Sequence, residues 1–108
     1  MKEIIIAFDI DGTLITNTNG VGVERLNIPV YQLLTLFRGM KNTKIVVWSG
    51  GGKDYAQQVA VKYGFANLVD MFEGKHEYDE TLYGKVDIAI DDQHEFALAD
   101  KNLIVRMK

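Results

Sequence analysis

The feature that most constrains the fold is the alternation of short, nearly continuous apolar runs with segments of helical periodicity. The apolar runs cover residues 4–8, 45–48 and 86–90, and weaker runs cover 68–72 and 103–105. Such runs are typical of parallel strands that are covered by helices, and their alternation with helices is typical of an α/β fold. The sequence therefore predicts one α/β domain over residues 1–108, a three-layer Rossmann-like parallel sheet with helices on both faces.

The segments between the apolar runs carry helix and turn signals. A first helix is predicted from Pro29, which suits a first turn, to Gly39, which suits an end. Apolar spacing between Tyr55 and Tyr63 predicts a second helix, and residues 79–83 are expected to form a short helical turn. Residues 12–27 contain several asparagines and glycines, so we expect a small hairpin or flap over the end of the first strand.

Composition excludes several kinds of site. The 108 residues contain no cysteine, which excludes disulfides, thiolate zinc sites and a cysteine nucleophile. A formal net charge of -3 gives no overall basic surface for nucleic acid. The first residues lack a signal-peptide pattern and no apolar run reaches the about 20 residues that cross a bilayer, so we expect a cytoplasmic protein with no membrane contact.

Polar residues follow three of the predicted strands, where each strand ends. Asp9 and Asp11 follow the first run, Ser49 opens a Ser-Gly-Gly-Gly segment after the second, and Asp91 and Asp92 follow the third. In a parallel sheet these ends meet at one edge, where ligands bind. Carboxylates there suit Mg²⁺, with Asp9 and Asp91 as ligands and Asp92 as a further candidate. An Asp-rich turn or a fragment of an EF-hand calcium loop is the less favoured alternative, because the next EF-hand ligands are missing after Asp11 and a strand precedes Asp9.

Three segments, "FDIDGTL", "VVWSGG" and "DIAIDD", resemble in this order three motifs of the haloacid dehalogenase-like (HAD) superfamily of phosphohydrolases. The resemblance spans residues 4–92. It implies a magnesium-dependent phosphatase with an aspartyl-phosphate intermediate, in which Asp9 is the nucleophile and Asp11 the general acid and base. Relatives that cleave carbon–halogen bonds lack the second aspartate, so Asp11 favours phosphoryl transfer. The expected metal ligands are Asp9, Asp11, Asp91 and Asp92.

A carboxylate that attacks a phosphate needs positive charge and hydrogen-bond donors around it. Ser49 and the amide of Gly50 are expected to bind two phosphate oxygens. Gly51 stands where many relatives have an arginine. The resemblance also implies an active-site lysine, for which Lys75 and Lys85 are the candidates. Lys85 precedes a strand and would lie roughly 20 Å from the opposite end, so Lys75 is preferred.

The resemblance also bears on the substrate. The intervals between the motifs are about 30 and 40 residues, too short for a cap domain of ordinary size. An uncapped site is open, which favours a phosphate-ended macromolecule, or a small phosphorylated molecule enclosed by a neighbouring subunit of a homo-oligomer. Two alternatives are a phosphotransferase and a non-catalytic phosphate- or metal-binding module. His76 and His94 are interpreted as surface residues, and Trp48 as part of the core.

Overall fold

A computed structural model describes residues 2–16, 23–92, 99 and 101–105. The predicted tip of the flap and His94 lie outside these residues. Within the described residues the strands are, in chain order, β1 (Ile4–Asp9), β2 (Ile15–Thr16), β3 (Arg25–Leu26), β4 (Thr43–Ser49), β5 (Met71–Gly74), β6 (Ile88–Asp91) and β7 (Lys101–Ile104).

Five of these strands form one parallel sheet in the order β5-β4-β1-β6-β7. The chain moves outward from β1 through β4 to β5, and then returns to the other side of β1 for β6 and β7. Because β1 has neighbours on both sides, its run of isoleucine, alanine and phenylalanine is almost fully buried. The predicted parallel α/β sheet is confirmed. The strand order reverses between β1 and β6, and crevices at such points are the usual ligand sites of open α/β sheets.

The predicted helices are present. Helix α1 (Ile28–Arg38) has a proline in its first turn and is followed by Gly39, and α2 (Lys53–Tyr63) is followed by Gly64. Gly64 has a φ of 78°, the left-handed conformation that commonly ends a helix at glycine. The short α3 (Glu80–Tyr83) begins after Asp79, whose carboxylate accepts hydrogen bonds from two amides of its first turn.

The core lies on both faces of the sheet. On one face, buried residues of α1 and α2 pack against alternate residues of the central strands, among them Ile6, Phe8, Ile45, Val47 and Ile90. On the other face lie Ile5, Ala7, Val46, Trp48 and Ala89, packed against Tyr78 and Val86. Trp48 is 3% exposed and its ring meets that of Tyr78 edge to face, so its interpretation as a core residue is confirmed.

The bounds of several strands were predicted wrongly. The runs at residues 86–90 and 103–105 correspond to β6 (Ile88–Asp91) and β7 (Lys101–Ile104). The weak apolar run at residues 68–72 is not a strand over its whole length, because Leu68 belongs to a 3₁₀ turn (Ala66–Leu68) and β5 runs from Met71 to Gly74. Asp70 separates the two, and its carboxylate accepts a hydrogen bond of 2.8 Å from the amide of Ile45. The chain therefore joins the sheet only after Asp70, three residues later than the apolar pattern suggested.

The base of the predicted hairpin is an antiparallel pair of β2 and β3. The side-chain amide of Asn27 donates a hydrogen bond of 3.0 Å to the carbonyl of Thr13, which closes the pair against the turn after β1. Glu24, just before β3, accepts hydrogen bonds of 2.6 Å from Lys62 and from the phenol of Tyr63. The hairpin base is thus attached to both the end of β1 and α2.

Candidate active site

Four strands deliver polar residues to the same edge of the sheet. Asp9 is the last residue of β1, Asp91 the last of β6 and Ser49 the last of β4, while Lys75 directly follows β5. The strands are parallel and in register, with Phe8 opposite Ile90, so their carboxyl ends align. These residues, distant in sequence, are brought together by the topology of the sheet.

Three carboxylates form a compact cluster at this edge. Asp9, Asp91 and Asp92 each offer an oxygen, and these oxygens lie within 4.8 Å of one another. Asp9 and Asp91 are buried, with 6% and 3% exposure, whereas Asp92 is partly exposed. A set of oxygen donors this close together fits a hard divalent cation such as Mg²⁺.

A buried lysine lies against the cluster. The Nζ atom of Lys75 is 2.6 Å from Oδ2 of Asp91 and 3.7 Å from Oδ1 of Asp9. Lys75 is itself only 9% exposed. Lys85, in contrast, is exposed and precedes β6, at the opposite end of that strand. Of the two lysine candidates, the structure places Lys75 beside Asp9.

The single positive charge of Lys75 does not neutralise the three carboxylates of the cluster, and the pKa values of Asp9 and Asp92 are raised. Burial, followed by the charge of Asp91, raises the pKa of Asp9 to about 7, and the charge of Lys75 opposes the shift only in part. Burial and a hydrogen bond to Asp91 raise the pKa of Asp92 as well. Without a further cation the cluster therefore favours protonation of at least one carboxylate near neutral pH, and a divalent cation removes that preference.

The turn after β1 contacts both Asp9 and Asp92. The hydroxyl of Thr13 lies 3.4 Å from Oδ2 of Asp9 and is fully buried. Gly12 has a φ of 78°, and a Cβ atom there would lie 2.2 Å from Oδ2 of Asp92. Only glycine combines this backbone conformation with so close an approach of a carboxylate. Gly12 is therefore required by the site as well as by the turn.

Asp11 is not part of the three-carboxylate cluster. Its Oδ1 accepts a hydrogen bond of 2.7 Å from the phenol of Tyr55, in the first turn of α2. Burial and this hydrogen bond raise the pKa of Tyr55. Asp11 thus lies outside the cluster of Asp9, Asp91 and Asp92 but lines the same cavity, and its expected role as a metal ligand stays a prediction.

The glycine-rich segment after β4 forms one wall of the site. Ser49 is 1% exposed, and its Oγ accepts a hydrogen bond of 3.0 Å from the amide of Gly51. The carbonyl of Ser49 also accepts from the amides of Gly52 and Lys75, which ties this segment to the residue after β5. Next to Gly50 there is open space, since a Cβ atom there would meet nothing within 4 Å. Gly50 is thus open to a ligand, and the hydroxyl of Ser49, which only accepts in this turn, can still donate its own proton, so its predicted contact with a phosphate oxygen stays a prediction.

These elements enclose a cavity of about 300 Å³. It is lined by Asp9, Asp11, Gly50, Gly51, Lys75, His76 and Asp92. A larger, shallow groove of about 510 Å³ on the outer face of α2 is lined by two glutamines, Asp54, Val61 and Lys62, and shares no residue with the acidic cluster. The smaller cavity is the candidate active site, because it alone of these two combines buried charge with convergent polar groups.

Three residues of the site were missed in the sequence. His76 is a surface residue, as expected, and it also lines the cavity. The sequence feature that could have predicted this is its position directly after Lys75. Thr13 lies within the "FDIDGTL" segment. Tyr55 was assigned only to the apolar face of α2, and nothing in the spacing of the chain pointed to Asp11 as its partner.

Comparison of the chain with protein-family models, with curated proteins and with solved structures gives no match. No helix of the described residues is long and apolar enough to cross a bilayer.

Proposed function

We propose that this chain is a magnesium-dependent phosphatase of the HAD-like type, which hydrolyses phosphate monoesters through an aspartyl phosphate on Asp9. The observation that carries the proposal is the meeting of Asp9, Asp91 and Lys75 at the carboxyl edge of the sheet. A nucleophilic carboxylate needs cationic neighbours to approach an anionic phosphate, and this edge combines a buried lysine with a set of oxygen ligands for a metal.

The proposed chemistry is the one that the resemblance to HAD-like phosphohydrolases implies, and the positions of the side chains support it. Asp9 attacks phosphorus while Asp11 gives its proton to the departing ester oxygen, which takes the electron pair of the broken bond. Asp11 then accepts a proton from water as that water attacks phosphorus, which releases phosphate and restores Asp9. Lys75 offsets the negative charge, and the amide of Gly50 donates to a phosphate oxygen. Mg²⁺ bound by Asp9, Asp91 and Asp92 would neutralise charge on the phosphate oxygens.

The open cavity supports a proposal on the substrate. We take the domain as three-layered and without a cap, so that the cavity of about 300 Å³ accepts a phosphate presented on a larger molecule. A phosphate-ended macromolecule meets this description, as does a small phosphorylated molecule enclosed by a second subunit. The proposed setting is cytoplasmic.

The proposal is tested by hydrolysis of a generic aryl phosphate by the purified chain. We expect turnover with MgCl₂, none with excess chelator, and none from Asp9→Asn in either condition. Asp54→Asn is the matched control, since Asp54 lies on the outer groove of α2, and it should keep full activity. Activity in chelator or in Asp9→Asn contradicts the proposal.

Two further results of the same experiment identify the alternatives. Binding of Mg²⁺ or phosphate without turnover of aryl phosphates, phosphopeptides or phosphate-ended oligonucleotides indicates a non-catalytic module. Transfer of the phosphoryl group to an acceptor other than water, seen by product analysis, indicates a phosphotransferase.

A further inference from the structure

The hydrogen bond between Tyr55 and Asp11 joins two elements at the edge of the candidate site. Tyr55 belongs to the first turn of α2, whereas Asp11 lies in the turn after β1, and 44 positions separate them in sequence. The bond is 2.7 Å long and half-buried. An O–H···O hydrogen bond of this length is strongly directional, so it fixes the orientation of the Asp11 carboxyl group.

The glycine segment makes room for the tyrosine ring. A Cβ atom on Gly51 would lie 3.1 Å from Cδ2 of Tyr55 and 3.4 Å from Oγ of Ser49. The ring therefore lies directly against the backbone of the segment that follows β4, and a side chain at position 51 would displace it. The chain thus uses the space beside Gly51 for a residue that reaches Asp11.

We infer that Tyr55 is a positioning residue for proton transfer by Asp11. This inference rests on the proposed function. The phenol occupies Oδ1 of Asp11 throughout the cycle, so the proton given to the ester oxygen, and later taken from water, is carried on Oδ2. Tyr55 neither gains nor loses a proton. Its contribution is to keep Oδ2 directed to the cavity that Asp9 and Asp11 line together.

Helix α2 supplies a matched control for this role. Tyr63 also donates its phenol to a carboxylate, at 2.6 Å from Glu24, but that pair attaches the hairpin base and lies outside the residues lining the cavity. Tyr55→Phe and Tyr63→Phe each remove one phenol–carboxylate hydrogen bond from the same helix. Their difference reports on Asp11 and not on the loss of a hydroxyl in general.

The test compares an alkyl phosphate with an activated aryl phosphate in the presence of Mg²⁺. A poor leaving group needs the proton and a good one does not, so a misplaced acid slows the former more. We expect Tyr55→Phe to lower kcat for the alkyl phosphate by roughly tenfold, to change kcat for the aryl phosphate by less than about threefold, and to leave KM unchanged. Tyr63→Phe should change neither substrate. In an Asp11→Asn background, Tyr55→Phe should have no further effect.

Equal losses with both substrates, or an additive effect in the Asp11→Asn background, overturn the inference. A second readout does not depend on turnover: the carboxyl ¹³C signal of Asp11 should shift in Tyr55→Phe and stay in place in Tyr63→Phe. An unchanged signal in Tyr55→Phe also overturns it. If the signal shifts but the native chain hydrolyses no phosphate ester, the proposed function fails, and the catalytic role of Tyr55 fails with it while the hydrogen bond stands.

Discussion

At the scale of single residues, Lys75 is the side chain on which the candidate site depends most directly. It is buried between Asp9 and Asp91, where it is the positive partner of both. Lys75→Ala removes one or two hydrogen bonds to charged groups, so it should lower kcat by roughly ten- to several-thousand-fold. Lys85→Ala, an exposed position before β6, should change kcat less than about threefold. Steady-state kinetics with an aryl phosphate, on variants whose folding is confirmed by circular dichroism, provides the measurement; the reverse ranking would contradict the role of Lys75.

The two lysines also show what sequence reasoning can supply. The choice of Lys75 needed only the direction of the strand before it, and it survived an error of three residues in the start of β5. The orientation of Asp11 was a different problem. Residues two apart share a face only within an extended strand, and Asp11 lies beyond β1 in a turn. Its hydrogen bond to Tyr55 depends on that turn and on the start of α2, which no spacing in the sequence encodes.

At the scale of elements, the turn after β1 connects the fold to the site through Gly12. Gly12→Ala combines an unfavourable positive φ with a collision against the carboxylate of Asp92. Gly64→Ala is the control, since Gly64 has the same φ of 78° and nothing within 4 Å of a Cβ atom. Gly64→Ala should lose about 1 kcal/mol of stability in urea unfolding and Gly12→Ala more than that, and only Gly12→Ala should also weaken Mg²⁺ binding, by roughly tenfold or more, in calorimetric titration. Equal Mg²⁺ affinity in the two variants would contradict this role of Gly12.

The two edges of the sheet use aspartates differently, and the sequence does not distinguish them. Asp70 and Asp87 lie at the amino ends of strands, where each accepts a hydrogen bond of 2.8 Å from a strand amide, of Ile45 and Ile5 respectively. Asp9 and Asp91 lie at the carboxyl ends and meet Lys75 instead. Apolar patterns locate the middle of a strand, whereas such side-chain hydrogen bonds determine where it begins. This is why the elements were predicted well and several of their bounds were not.

At the scale of the whole molecule, folding concentrates negative charge at one point of a chain whose formal net charge is only -3. The reversal of strand order places β1 beside β6, and their last residues bring Asp9 and Asp91 together in a buried position. Burial of like charges opposes folding unless they are protonated or bound to a cation. The candidate site is therefore a source of instability in the metal-free protein, and that instability should depend on pH.

The expected dependence of stability on pH follows from Asp9. Its pKa is about 7 in the folded protein and 3.8 in the reference state, so between these values the folded state binds more protons and its stability falls as pH rises. Below 3.8 both states are protonated, and above about 7 both are ionised, so the fall lies within that window. Mg²⁺ competes with these protons and should stabilise the protein far more at pH 8 than at pH 5.

Urea unfolding, followed by the fluorescence of the single tryptophan, Trp48, measures both effects. In chelator the urea midpoint of unfolding should be lower at pH 8 than at pH 5, and Mg²⁺ should restore it at pH 8. Asp9→Asn should reduce both the dependence on pH and the effect of Mg²⁺. A midpoint that rises from pH 5 to pH 8, or a Mg²⁺ effect that is equal at both pH values, would contradict the electrostatic account of the site.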